Sequence, residues 1–402
     1  MPPELHPSNA PRIQGWCPGA LRPMPSGDGL VVRIRPPCGR LTQVQARGIA
    51  ILAARYALPA LDITGRANLQ LRGIAEADHS ALTEGLQSLG LTDPSIEVES
   101  RRNLLLSPFW QEGDGTADMA GALSLALAQL DAPALPGKFG FALDCGATPV
   151  LRSCSADIRI ERSADSFLVY ADSSHAGAQA SADEIVPLVL SMAQWFVDAG
   201  GVQVGRGRMA TLLSKTPIPG RYSTTVVPVG ASVKPPLGRV PQGCVVGFEF
   251  GQLQVQTLAA LAELAPLRLT PWRSVLLEGI EGLPDISAVA APSALSDVIT
   301  RADDVRLRVT ACTGAPGCTQ ALAATRPLAR TLAPLVPPGR SLHVSGCTKG
   351  CAHPGATLTL VASAAGYNFI EHGTAASSPN EYGLSPAAIA TYLEQRQHAP
   401  HV

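Results

Sequence analysis

Four of the nine cysteines fall into two short pairs, Cys312-Thr-Gly-Ala-Pro-Gly-Cys318 and Cys347-Thr-Lys-Gly-Cys351. Small residues surround both pairs, namely Gly314, Ala315, Gly317, Gly346 and Gly350. Such residues let a backbone close around a compact object and turn its N–H groups toward it. Four thiolates on two loops with inward N–H donors are what an iron–sulfur cluster needs, because its sulfides carry negative charge. The spacing is C-x5-C, then 28 residues, then C-x3-C. Structural zinc sites mostly use C-x2-C knuckles whose tight turn suits one tetrahedral ion. The wider spacing favours a larger object, with a zinc-stabilised binding protein as the alternative of a different class. The other five cysteines, Cys17, Cys38, Cys145, Cys154 and Cys244, are scattered and read as small buried hydrophobes.

The elements around these pairs are short and mixed. Hydrophobic residues make up 46% of the chain and charged ones 16%, with 35 prolines and 38 glycines, which predicts a well-buried protein of two to four lobes. A net charge of −1 excludes a global pull toward nucleic acid or anionic membrane. Any anionic ligand must be met by locally placed Arg and Lys. The N-terminus lacks the basic-then-apolar layout of a signal peptide, and no apolar run reaches the ~18 residues of a membrane span. Both features predict a cytoplasmic protein with reduced thiols.

Residues 1–28 read as an extended arm, then Gly29–Arg35 alternates like a half-buried strand. Helical spacing over Leu41–Leu58, strands at Ala60–Thr64 and Asn68–Ile74, and a helix over Asp78–Leu89 give a β-α-β-β-α order. Thr64-Gly-Arg-Ala-Asn-Leu-Gln-Leu-Arg-Gly-Ile74 aligns without gaps to Thr270-Pro-Trp-Arg-Ser-Val-Leu-Leu-Glu-Gly-Ile280, an offset of 206 residues (270 − 64). Upstream, Gly39-Arg-Leu-Thr-Gln-Val-Gln resembles Gly251-Gln-Leu-Gln-Val-Gln, so a fused duplication with pseudo-two-fold symmetry is expected. Trp272 then occupies the place of Arg66, as if one repeat binds and the other packs. Strand-like runs at Arg102–Leu106, Lys138–Asp144, Ile158–Glu161 and Phe167–Ala171 alternate with helical stretches at Thr116–Leu130 and Ala182–Ala199. A Pro-rich linker spans 215–243. The last third predicts strands at Val305–Val309, Ser341–Ser345 and Thr357–Ala362, with helices at Gln320–Leu335 and Ala387–Gln397.

Cys312-x5-Cys318 and Cys347-x3-Cys351, with Gly346 before and His353-Pro354 after, resemble the [4Fe–4S] signature of the sirohaem-dependent nitrite and sulfite reductase family. The resemblance runs from about residue 15 to 395. It implies an α+β fold built as a duplication, two ferredoxin-like half-domains plus two larger αβ domains. The corresponding divisions are 1–90, 95–225, 238–290 and 300–402, the last carrying the cysteines. It also implies that Cys312, Cys318, Cys347 and Cys351 ligate the cluster, and that basic segments bind macrocycle carboxylates. The matching residues are Arg66, with Asn68 and Gln70 on the same face, Arg102 and Lys138.

One departure matters. Where the family has a second lysine in Lys-x-Lys, this chain has Gly140. Together with Gly-Lys138-Phe-Gly-Phe-Ala-Leu-Asp-Cys145-Gly, this looks more like one branch, the precorrin-3B synthases. That branch implies precorrin-3A and O2 as substrates, C20 hydroxylation with γ-lactone formation, and a mononuclear non-haem iron beside the cluster. Sirohaem is retained only under the reductase alternative. No G-x-G-x-x-G follows a strand, so an external donor is expected, an NADH-linked reductase or a ferredoxin. Gly205-Arg-Gly-Arg208 reads as a turn presenting two cations to the macrocycle or to solvent. Internal pseudo-symmetry predicts a monomer. His353 is open between an iron or carboxylate role and a structural one, and His343 reads as a satisfied core residue.

Overall fold

The computed structural model describes residues 16–227, 235–283 and 292–397. The first part of the expected N-terminal arm, Pro228 of the linker and the end of the 238–290 segment lie outside the described residues.

Alternation along Gly29–Ile34 turns Leu30, Val32 and Ile34 into the core, which fixes this strand's register. Its sheet runs in the order Met24–Ser26, Gly29–Ile34, Leu69–Ile74, Ala60–Ile63, Gln252–Gln254. The last of these comes from the second half of the chain. Reciprocally, Arg40–Leu41 from the first half closes a sheet of Gly238–Val240, Gly243–Phe248, Ser274–Glu278 and Leu267–Leu269. Each half therefore lends an edge strand to the other, with Leu253 opposite Leu61 and Leu41 opposite Leu267. Exchange removes one exposed edge from each sheet. It also trims the expected helix, because Leu41 belongs to a strand and the helix is Gln43–Tyr56.

Thr42 caps that helix. Its hydroxyl accepts from Gln45 N–H at 3.2 Å while the Gln45 side chain accepts from Thr42 N–H at 3.0 Å. Such a box is worth roughly 1 kcal/mol. Ala46, Ile49, Ala50 and Ala53 face inward and share one core with Leu258 and Leu261 of the equivalent helix Val255–Leu264.

The duplication holds at the level of dihedrals. Ala67 (φ 53°) and Arg273 (φ 61°) are both left-handed, as are Cys38 (φ 53°) and Phe250 (φ 56°). Thr64 Oγ1 accepts from Asn68 N–H at 3.2 Å, and Thr270 Oγ1 accepts from Ser274 N–H at the same distance. The 206-residue offset is thus a conserved turn rather than a coincidence of letters.

The two larger αβ sheets also correspond. In one, Leu104–Leu106, Phe141–Asp144 and Ile158–Ser163 are parallel, followed by antiparallel Ser166–Ala171, Ala176–Ala180 and Thr225–Val226. In the other, Val309–Ala311, Leu342–Ser345 and Thr357–Ser363 are parallel, followed by antiparallel Gly366–Gly373 and Glu381–Leu384. Parallel neighbours need crossovers, here containing helices Thr116–Leu127 and Arg326–Leu332. Each sheet has its own core, and the architecture is α+β with duplicated ferredoxin-like and larger αβ domains.

Several expected elements differ. Val305–Arg308 is a 3-10 turn and its strand starts only at Val309. The helix expected from Gln320 starts at Arg326, because residues 312–325 are consumed by the cysteine loop. The linker contains the short strands Thr225–Val226 and Gly238–Val240. The Arg102 strand begins at Leu104, Arg102 being the C-cap of helix Ile96–Arg101. No helix among the described residues is long and apolar enough to cross a membrane.

Candidate functional site

Both cysteine pairs follow the C-terminal ends of parallel strands, where open αβ sheets place their sites. The two loops are sewn together. Leu322 N–H donates to Gly346 carbonyl at 2.9 Å, and Gly346 N–H donates to Cys312 Sγ at 3.2 Å. Gly346 is required here, since a Cβ would sit 2.6 Å from the Ala321 Cβ. Within the first loop, Cys318 N–H donates to Gly314 carbonyl at 2.8 Å, and Thr325 Oγ1 donates to Cys312 carbonyl at 2.7 Å.

All four thiols are free. Burial pushes Cys347 and Cys351 up, and the thiols of Cys312 and Cys318 add to it. Among the described residues, no three His, Cys, Asp or Glu side chains converge closely enough for a single metal ion. Four free thiols nonetheless sit on the two interlocked loops, with a backbone N–H already on one sulfur.

The first repeat braces this loop. Arg72 donates to Asp28 (2.9 Å to each oxygen), to Ser26 Oγ at 2.8 Å and to Gly317 carbonyl at 2.6 Å. Asp62 accepts from Arg326 at 2.6 Å, and Arg273 from the second repeat donates to Ala352 carbonyl at 2.7 Å, between Cys351 and His353. Sequence reasoning did not identify Asp62, Arg273 or Arg326 with this site; their partners lie 79 to 264 residues away.

His343 departs from expectation. It is fully buried, yet neither ring nitrogen has a hydrogen-bond partner among the described residues. Its ring centroid lies 5.9 Å from that of His353. Burial pushes His343 down to about 4, with His353 and Arg273 adding to it, so the ring is neutral.

Of the residues expected to bind carboxylates, Arg66, Gln70 and Lys138 share one neighbourhood. Arg66 Nη2 donates to Lys138 carbonyl at 2.9 Å and lies 3.5 Å from Ser155 Oγ, which Arg208 also approaches at 3.2 Å. Gln70 Oε1 accepts from Arg33 at 3.0 Å. Burial lowers Arg66, and neighbouring Arg208 and Arg33 lower it further. Arg33 and Arg35 are additions. Their i, i+2 spacing on a half-buried strand was the available signal. The Nε atoms of Arg33 and Arg35 and Nη1 of Arg66 are buried without an acceptor among the described residues.

Arg102 is engaged differently, with Asp93 at 2.6 and 2.9 Å and the Arg35 carbonyl at 3.1 Å. Asn68 closes the Thr64 turn through its backbone. Arg208 of the Gly-rich turn is held by buried Asp157 at 2.8 Å, which also accepts from Gly140 N–H at 3.0 Å. Gly140 is itself buried, and a Cβ there would press on the Asn103 carbonyl at 3.3 Å. Trp272, at the place of Arg66, stacks on Phe109 with centroids 6.3 Å apart. Cys145, Cys154 and Cys244 are buried as expected, whereas Cys17 and Cys38 are only partly so.

An open cavity of about 800 Å³ lies elsewhere, beside helix Val255–Leu264. Glu249, Glu263 and Asp297 line it together with Arg330, the wrong balance for a polycarboxylate.

Residues 22–89 match the nitrite/sulfite reductase ferredoxin-like half domain. The chain is 28% identical to a Sinorhizobium precorrin-3B synthase, over 96% of this chain and 90% of that protein. It is 23% identical to the chloroplastic ferredoxin–nitrite reductase of Spinacia oleracea, over 80% of this chain and 64% of that one. The fold superposes on Mycobacterium tuberculosis NirA with a TM-score of 0.63 at 17% identity, covering 91% of this chain and 79% of NirA. Interlocked cysteine loops, exchanged half-domains and these likenesses agree: the chain carries a nitrite/sulfite reductase ferredoxin-like half domain and is similar along most of its length to a precorrin-3B synthase.

Proposed function

We propose that this protein is a precorrin-3B synthase. It would hydroxylate precorrin-3A at C20 with O2 and form the γ-lactone that prepares ring contraction in aerobic cobalamin biosynthesis. The observation that carries this reading is the pair Arg33 and Arg66, with Nε of the first and Nη1 of the second buried and lacking an acceptor among the described residues, beside Arg35, whose charge is met by Glu99 at 3.6 Å. Buried unsatisfied cationic donors are costly unless an anion completes them. A polycarboxylate macrocycle supplies several, and guanidinium forks grip carboxylates bidentately.

Arg66 and Lys138 hold carboxylates in this reading, and Gln70 orients Arg33 toward them. Asn68 shapes the turn that carries Arg66, and Arg102 fixes the backbone at Arg35. Cys312, Cys318, Cys347 and Cys351 hold a [4Fe–4S] cluster, which supplies single electrons when bound. Of the two O2 atoms, one enters the macrocycle and the other leaves as water. An NADH-linked reductase or ferredoxin provides the two electrons. A mononuclear non-haem iron belongs to the same reading, with no ligands assigned. We place the protein in the cytoplasm, as a monomer.

The likeness to nitrite reductases supports a second reading, a sirohaem-dependent nitrite or sulfite reductase. Gly140 weighs against it, because the position of the second lysine is buried and walled by Asn103. The absorption spectrum of the purified protein separates the two. Broad iron–sulfur absorbance alone supports the synthase; intense sirohaem Soret and visible bands would overturn it.

A further inference from the structure

Ser155 sits where three parts of the chain meet. Arg66 reaches it from the Thr64 turn and Arg208 from the turn after Gly205, while Ser155 itself lies just before the strand Ile158–Ser163. Its backbone is pinned on both sides. The buried Arg159 donates from Nη2 to the Cys154 carbonyl at 2.5 Å, and Arg208 Nη2 donates to the Ala156 carbonyl at 2.9 Å. One residue on, Asp157 N–H donates to the Gly140 carbonyl at 2.7 Å, and the Asp157 carboxylate accepts from Gly140 N–H at 3.0 Å. The hydroxyl is therefore carried on fixed backbone.

Its own contacts leave its proton free. A serine Oγ has two lone pairs and one hydrogen, and a guanidinium can only donate. Arg208 Nη2 lies 3.2 Å from Ser155 Oγ and Arg66 Nη2 lies 3.5 Å from it. Both lone pairs are thus engaged, and the O–H points elsewhere with no acceptor among the described residues. Arg66 Nη1, which is buried, lacks an acceptor as well. Asp157 meets the charge of Arg208, at 2.8 Å from Nε. Arg66 has a carbonyl and a hydroxyl as its partners and no carboxylate among the described residues. Two guanidinium groups therefore share one hydroxyl with a single carboxylate behind them, and the charge of Arg66 stays uncancelled. Ser155 is exposed, so a ligand can reach it.

We propose that Ser155 and Arg66 form one carboxylate-binding subsite, in which the Ser155 hydroxyl and Arg66 Nη1 each donate to an oxygen of the ligand. Arg208 is a positioning residue: Asp157 already meets its charge, and it acts by fixing the direction of the hydroxyl. A carboxylate offers two oxygens to these two donors, and its charge completes Arg66. That the carboxylate belongs to a tetrapyrrole rests on the macrocycle reading above; the subsite rests on the contacts themselves.

The test measures binding to the purified protein of uroporphyrin, an octacarboxylate tetrapyrrole, by its fluorescence, and of citrate by the rise in melting temperature. Ser155→Ala is expected to weaken uroporphyrin by about tenfold, the scale of one hydrogen bond to a charged group. Ser155→Thr keeps the hydroxyl and should restore affinity close to that of the parent. Ser153→Ala, at a neighbouring exposed hydroxyl, is the control and should bind as the parent does. Arg208→Gln should weaken binding in the parent but add nothing in the Ser155→Ala background, because it acts through that hydroxyl. Additive losses would overturn the positioning role of Arg208. Unchanged affinity in Ser155→Ala, with uroporphyrin bound by the parent, would overturn the subsite. Citrate stabilising the parent but not Ser155→Ala, with no uroporphyrin bound, would support the subsite while sinking the macrocycle reading. No response of the parent to either ligand would sink both.

Discussion

Arg72 and Gly317 join the two halves of this protein: the guanidinium of the first repeat donates to the carbonyl beside Cys318 at 2.6 Å, across 245 residues. The same guanidinium is neutralised by Asp28, so the cation is fixed before it reaches the loop. Folding of the first half-domain thereby shapes the loop carrying Cys312 and Cys318. Arg72→Ala should loosen that loop. Iron release to a chelator is expected to accelerate about tenfold or more, corresponding to the ~1.5–3 kcal/mol of a charged hydrogen bond. Unchanged release kinetics would show that the loop holds itself.

Cys351→Ser should remove most iron and acid-labile sulfide, together with the visible absorbance, while the far-UV circular dichroism stays near that of the parent. Retained cluster absorbance would refute the ligand assignment. Cys244→Ser, in a buried position of the second half-domain core, is the control and should keep the iron.

Arg66→Ala should weaken macrocycle binding by about 10- to 100-fold, the range of one charge-assisted bidentate contact. The rate at saturating substrate should change little. An equal loss in saturating rate with unchanged affinity would move Arg66 from binding to chemistry.

Asp157 is fully buried and accepts from Gly140, Arg208 and Met209. Asp157→Ala leaves Arg208 without its carboxylate and two N–H groups without acceptors. The expected cost is about 3–5 kcal/mol, read from urea unfolding. A change below ~1 kcal/mol would mean that water replaces the carboxylate at no cost.

Asp144 should give stability a pH dependence. Burial raises its carboxyl to about 6, although Leu151 and Val150 N–H groups pull the other way. The folded state therefore binds the proton more tightly than the unfolded chain. That contribution is complete below the ordinary carboxylate range and is lost as pH rises through about 6. Asp144→Asn should flatten this part of the profile by on the order of 2 kcal/mol. An unchanged slope between pH 4 and 6.5 would place the titration elsewhere.

What was legible in the sequence followed from local rules. Alternation gave Gly29–Ile34, and the Thr64 and Thr270 turns gave the duplication because each Thr side chain caps its own turn. The cysteine spacing located the paired loops. Exchange of the strands Arg40–Leu41 and Gln252–Gln254 was not legible, since edge pairing depends on how two half-domains meet. Nor were the braces Asp62–Arg326 and Arg273–Ala352, which join residues with no shared pattern. Arg102 matched a segment motif, but motif matching cannot see that Asp93, nine residues earlier, holds its guanidinium. His343 was misread for a related reason: strand alternation predicts burial, and burial does not supply a hydrogen-bond partner.

The central claim is oxygen insertion into a polycarboxylate macrocycle. The most direct measurement incubates the purified protein anaerobically with precorrin-3A and a reductant, then admits ¹⁸O2 and follows the tetrapyrrole by mass. The account predicts incorporation of one ¹⁸O atom, abolished in Cys351→Ser. No label in the macrocycle, with sirohaem bound and nitrite or sulfite reduced, would contradict it.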